Sequence, residues 1–294
     1  MHTNVEQAGE ALADYIDRYR KLWVISGAGV STDSGIPDYR GVDGQWKRSP
    51  PVQHADFMAS LSVRKRYWAR ALVGFRALSD APVSGAHRAL AALERMGYIE
   101  QLVTQNVDRL HQRAGSQRVI DLHGRADLVS CMSCRYRIMR HAMHAEMARM
   151  NPAFAHLQAG HAPDGDADLE MDFSTFKVLD CPRCSGILKP EVVYYGDVVP
   201  AKRRHAAEEG LQRSRAVLTV GTSLMVFSGY RFCRQAHSQG LPLASLSLGV
   251  TRADALMAQR WQAPITPVLE HALHCLQGSA RSARPGDPGV ALVP

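Results

Sequence analysis

The sequence predicts a doubly wound α/β protein, with a parallel sheet covered by helices on both faces, an inserted small zinc-binding module and a helical excursion. Three observations lead there. Short runs of Val, Ile and Leu recur along the chain and alternate with helix-length amphipathic segments. A Gly-x-Gly loop, Gly27-Ala28-Gly29, follows the first apolar run directly. Two Cys-x-x-Cys pairs, Cys131/Cys134 and Cys181/Cys184, interrupt the alternation.

The strands are expected at Leu22–Ser26, Gln101–Thr104, Val119–Leu122, Ala216–Val220, Leu243–Leu248 and Ile265–Val268. Such runs suit parallel strands buried on both faces. Helices are expected over 5–20, 85–96, 107–114, 202–212, 226–239, 253–261 and 268–276. The alternation breaks twice, at 41–80, which reads as helical, and at 125–196, which holds both cysteine pairs. The large domain is therefore expected over 1–40, 81–124 and 197–277. The tail, 278–294, is rich in Gly, Pro, Ser and Ala and is expected to be disordered.

Composition excludes several classes. The net charge of +7 is dispersed, with no sustained Lys/Arg block, so no specific nucleic-acid partner is expected. No apolar run approaches the ~20 residues that span a bilayer, so no membrane partner is expected either. The N-terminus carries no signal core and no transit-peptide character, and a cytoplasmic location is expected. Cys233 and Cys275 stand alone and read as free thiols.

Each Cys-x-x-Cys places two thiolates on one side of a turn. Two such knuckles close a tetrahedral zinc site with no open position, which is structural. Glycines after the first strand let the backbone approach a pyrophosphate. The third glycine of the usual dinucleotide fingerprint is missing, since position 32 is Thr, so ordinary hydride transfer is not indicated; a plain strand–helix turn is the alternative. The polar string Thr104-Gln105-Asn106-Val107-Asp108 lies between apolar stretches, and a helix N-cap at Asn106 is its bland reading. His123 ends an apolar run, where a group with near-neutral pKa suits a general base or a merely structural histidine.

In chain order, Gly27–Arg40, Thr104–His111, His123-Gly124, the two knuckles, Lys189–Asp197 and Gly221-Thr222-Ser223 resemble the sirtuins, NAD-dependent protein-lysine deacylases, over about residues 20 to 270. Gly35–Arg40, Arg66–Arg70, Ala162–Asp166 and Phe227–Arg231 are most similar to the class II branch, which includes the mitochondrial lipoamidase-type sirtuin. The resemblance implies a Rossmann-like domain, NAD as co-substrate, one structural zinc ion, and acyl-lysine side chains of proteins as partners. The products would be nicotinamide, deacylated lysine and O-acyl-ADP-ribose.

It also implies residue roles. Asn106, Asp108 and His123 would be catalytic: Asn106 placing the ribose, Asp108 holding the nicotinamide carboxamide or a water, His123 the base on a ribose hydroxyl. NAD would lie against Gly27, Ala28, Gly29, Ile36, Asp38, Tyr39, Arg40, Gln105, Asn106, Val107, Asp108, Gly221, Thr222, Ser223, Ser247, Leu248, Gly249 and Ile265. Ser247 stands where the family usually has Asn. Val192 and Val193 would pair with the substrate backbone, and Tyr195 would flank the acyl-lysine channel. Tyr67 and Arg70 share a helical face and resemble the pair that holds an acyl carboxylate in desuccinylating sirtuins; a packed, solvated surface helix is the alternative. Rival functions are mono-ADP-ribosyl transfer, lipoamide removal, or a non-catalytic NAD-sensing interaction protein.

Overall fold

The computed structural model describes residues 4–47, 51–161 and 163–282. In chain order the elements are α1 (Val5–Tyr19), β1 (Leu22–Ser26), α2 (His54–Ala59), α3 (Leu61–Asp80), α4 (Gly85–Arg95), β2 (Ile99–Thr104), α5 (Leu110–Arg113) and β3 (Val119–Asp121). There follow β4 (Gly124–Cys131), β5 (Arg137–Met139), α6 (Arg140–Met150), α7 (Pro152–Ala155), β6 (Gly160–His161), β7 (Ala167–Asp168) and β8 (Leu188–Val192). The chain returns through α8 (Ala201–Gln212), β9 (Ala216–Val220), α9 (Phe227–Ser238), β10 (Leu243–Leu246), β11 (Gln259–Trp261) and α10 (Ile265–Ser282).

The large sheet runs β11-β10-β9-β1-β2-β3, and every neighbouring pair is parallel. Strand order reverses between β1 and β9, so the sheet is doubly wound and has a ligand crevice above the carboxyl ends of those two strands. One face packs Leu12, Ile16, Leu90, Leu93, Val268 and Leu269 from α1, α4 and α10. The other packs Trp23, Ile25, Leu211, Phe232 and Leu243. Helix starts are set by ordinary caps: Asn4 accepts the Glu6 amide (2.9 Å), and Ser84 accepts the His87 amide (3.4 Å).

Two expectations at the C-terminal side are corrected. Ile265–Val268 is not a strand but the first turn of α10. Pro267 sits in that first turn, where an amide has no intrahelical partner to lose. The sixth strand is β11, inside the segment expected to be a helix; Asp254–Leu256 is only a single 3-10 turn. β11 is a short edge strand with Trp261 alone buried, so it carries no apolar period to read. The helix expected over 107–114 shrinks to α5. In the tail, 278–282 are helical, and the remainder lies outside the described residues.

The excursion at 41–80 and the cysteine-bearing module are not separate. Phe57, Trp68 and Phe75 share one core with Val129, Met143, Phe154 and Phe176. Burying each of these large side chains contributes about 2–3 kcal/mol. The module's own sheet is antiparallel, in the order β5-β4-β8. No helix among the described residues is long and apolar enough to cross a membrane.

Candidate active site at the carboxyl edge of the sheet

A crevice of about 720 Å³ lies over the reversal of strand order. The turns after β1, β2, β9 and β10 all open into it, through Gly27–Gly29, Gln105–Val107, Gly221–Ser223 and Ser247–Gly249. Asp38, Tyr39, Arg40, His123, Val192, Val193, Tyr195 and Ile265 line it as well. Gly221 has φ +58°, and a Cβ there would stand 2.7 Å from the Val30 amide nitrogen. At Gly27 a Cβ would meet Thr222 Cβ at 2.7 Å. The two strand ends approach each other that closely only because both residues lack a side chain.

Asn106 is not a helix cap. Its Nδ2 donates to Gly27 O and to Ser31 Oγ, both at 3.0 Å. With both hydrogens spent there, the group it offers the crevice is its carbonyl oxygen. Asp108 stands behind Asn106 and outside the lining: Ser31 Oγ donates to its Oδ2 (2.7 Å) and the Leu110 amide to its Oδ1 (2.9 Å). Burial raises its pKa, against the pull of those two hydrogen bonds. Asp108 therefore fixes Ser31, which in turn fixes Asn106. Ile36, expected at the cofactor, is instead buried in the core of the smaller lobe.

His123 follows β3, with its Nδ1 3.2 Å from the Gln105 carbonyl and its Nε2 2.7 Å from Ser228 Oγ. The carbonyl can only accept, so Nδ1 carries the proton and Nε2 a lone pair. Burial pushes the His123 pKa down to about 4, and Arg203 adds to the shift. The imidazole is thus neutral at physiological pH, as a general base requires. Gln105 Nε2 donates to Thr222 Oγ1 (2.6 Å), tying the loop after β2 to the loop after β9. Ser247, in place of an Asn, accepts the Gly249 amide on its Oγ (3.3 Å).

The segment after β8 forms the wall between the crevice and a second chamber of about 490 Å³. Val193 donates its amide to His123 O (2.8 Å), and Tyr195 O accepts the His54 amide (2.8 Å). Tyr67 lines the chamber, packed edge-on against Phe57 and Trp68. Arg70 lines it too, but its fork is engaged: Nε and Nη2 donate to Asp166 at 2.9 and 2.8 Å, and Nη1 to Glu170 at 3.1 Å. Neither the surface-helix reading nor a guanidinium waiting for a ligand describes it.

The four cysteines converge. Their Sγ atoms lie within 4.8 Å of one another, with Cys131–Cys184 at 3.5 Å and Cys134–Cys181 at 3.6 Å. Tetrahedral Zn–S bonds of ~2.3 Å require sulfurs ~3.8 Å apart, so the set fits zinc. The knuckles are built alike: Arg135 N bonds Cys131 O and Ser185 N bonds Cys181 O, and Arg135 and Ser185 both take positive φ, 62° and 55°. The amides of Ser133 and Cys134 point at Cys131 Sγ (3.4 Å each), which favours the thiolate.

Sequence reasoning missed Ser31, Asp166 and Ser228. None belongs to a spacing that announces chemistry; all three lie within motifs that supported the resemblance, but without a role.

A sequence profile of the Sir2 family matches residues 27–228. An NAD-dependent protein deacetylase of Xanthomonas campestris pv. campestris is 50% identical over 289 residues, covering 98% of this chain and 95% of the relative. The NAD-dependent protein deacylase Sirt4 of Drosophila melanogaster is 44% identical over 257 residues, covering 86% and 82%. A solved structure described as "Sir2-p53 peptide-NAD+" superposes with a TM-score of 0.72 at 27% identity, covering 92% of this chain and 98% of that one. The chain belongs to the Sir2 family of sirtuins.

Proposed function

We propose that this chain is an NAD-dependent protein-lysine deacylase, with deacetylation as its default activity and a class II character. The observation that carries the reading is His123: a neutral imidazole with its Nε2 lone pair at the sheet's ligand crevice, opposite the two glycine turns. When bound, NAD supplies an electrophilic sugar carbon once its nicotinamide leaves. The Gly27–Gly29 turn and the Gly221–Ser223 turn would bind the nucleotide through backbone amides. Asn106 would orient the ribose with its carbonyl oxygen. His123 Nε2 would accept the proton of a sugar hydroxyl. Tyr195 and the residues before it would flank the acyl-lysine.

The acyl group would extend toward the chamber beside α3. There the Arg70–Asp166 pair makes acidic acyl groups conditional, because their carboxylate must displace Asp166. Cys131, Cys134, Cys181 and Cys184 would hold one zinc ion, which supplies folding energy to the smaller lobe and no chemistry.

A panel of acyl-lysine peptides (acetyl, succinyl, glutaryl, lipoyl) incubated with NAD tests the reading, with His123→Tyr as control. Nicotinamide release that requires both the peptide and His123 is expected. Transfer of label from NAD onto protein, with no peptide deacylated, would make the enzyme an ADP-ribosyltransferase instead.

A further inference from the structure

The base carries a partner that the roles above do not use. Ser228, the second residue of α9, lies 2.7 Å from His123 Nε2 and lines the same crevice. Because Nδ1 donates to the Gln105 carbonyl, Nε2 can only accept, and Ser228 Oγ–H is the donor. The start of α9 is locked against that same loop: a Cβ on Gly229 would stand 2.8 Å from Gln105 Oε1. The ring is thus held on one edge by the backbone of Gln105 and on the other by a helix packed on the Gln105 side chain.

We propose that Ser228 is the positioning residue of the base, its hydroxyl holding the His123 ring with Nε2 turned into the crevice until a substrate hydroxyl takes its place. Hydroxyl torsion about Cα–Cβ is a small motion, so the exchange of one donor for another needs no backbone rearrangement. The proton then moves from the substrate oxygen to Nε2, and Ser228 neither gains nor loses one.

This inference rests on the proposed deacylase reading for its kinetics but not for its structural test. A donor aimed at Nε2 favours the neutral ring, so removing it raises the His123 pKa. Arg203 on α8 lowers the His123 pKa, and the other charged groups of the crevice lining are Asp38, Arg40, Lys47, Asp197, Arg204 and Arg231. In the zinc-loaded full-length protein without NAD, NMR titration should place His123 higher in Ser228→Ala by about half to one pH unit, as expected for loss of one hydrogen bond. Ser228→Thr, which keeps the hydroxyl, should restore the original value. In turnover, Ser228→Ala should lose about 3- to 10-fold in kcat for deacylation, with KM for NAD and nicotinamide exchange changed less than about twofold. An unmoved His123 titration in Ser228→Ala overturns the proposal whatever the kinetics. So does equal loss of exchange and deacylation, or a Thr variant no better than Ala. If wild-type protein released no nicotinamide with any acyl peptide, the deacylase reading would fall, while the titration would still decide the role of Ser228.

Discussion

The crevice over the sheet and the chamber beside α3 share the wall from Val192 to Tyr195, yet they are positioned by different means. The crevice centres on backbone turns and neutral hydrogen bonds, Asn106 to Gly27 O, Gln105 to Thr222 and Ser228 to His123, with the Asp38–Lys47 ion pair also in its lining. It inherits its place from strand order in a sheet whose core is complete on both faces. The chamber is made of rings and ion pairs, and α3 reaches its partners only because the cysteine-bearing module folds against it. The difference teaches that position at the crevice is fixed by topology, while position at the chamber depends on the packing of α3 against the cysteine-bearing module and on charge.

Removing the metal should break the comparison hardest. Chelation, or Cys134→Ser, should abolish deacylation and strip hydrogen-exchange protection from β4, β8 and α3, while β1, β9 and β10 stay protected. Structural zinc contributes about 10–16 kcal/mol in small modules. Uniform loss of protection across the whole chain would show that the two regions do not fold on separate terms.

Next in size is the base. His123→Ala should lower kcat for deacylation by about 10²- to 10⁴-fold, with the folded state and zinc content unchanged. A loss under tenfold would remove His123 from the role given to it.

Acid should weaken the protein through histidines on both sides of the comparison. His87 contacts Ser84 Oγ (2.7 Å) and meets the His111 ring edge-on at 4.7 Å, and burial lowers its pKa to about 4. His123 falls to about 4, and burial puts His111 and His144 well below the usual range. Each is neutral when folded but takes a proton when unfolded below pH 6.5. Their contribution is therefore intact above that value and lost progressively as pH falls toward 4. For His87 alone the loss by pH 4 is about 3 kcal/mol. Thermal melts from pH 7 to 4.5 should show it, and His87→Gln should flatten the slope; a melting temperature independent of pH over that range would contradict the burial argument.

The smallest effect sharpens the chamber. Asp166→Asn leaves the Arg70 fork with a weaker partner, so the ratio of kcat/KM for a glutaryl peptide over its uncharged pentanoyl counterpart should rise about 3- to 10-fold. Arg70→Met should reverse that change. An unaltered ratio in both variants would mean that the acyl group never reaches this pair.

Much of this was legible along the chain. The apolar runs marked five of the six large-sheet strands; the central ones, β1 and β9, are buried along their whole length and read as near-continuous apolar runs. The cysteine spacing specified its own chemistry, while His123 and Asn106 stood out at strand ends but took their expected roles only from the resemblance to the sirtuins. What failed was the edge. β11 is short and buries one residue, and the first turn of α10, Ile265-Thr266-Pro267-Val268, is β-branched and apolar enough to read as a strand although Pro suits a first helical turn.

By itself, then, the sequence determined which segments alternate, where the metal ligands lie and which strand ends carry polar groups, because those features are local or periodic. Only the tertiary structure decided that Ser228 faces the base, that Asp166 occupies Arg70, that Asp108 acts through Ser31 and that Ile36 turns into the core. Each of these pairs side chains from separate elements, and a hydrogen bond across 105 residues leaves no periodic trace in the chain that makes it.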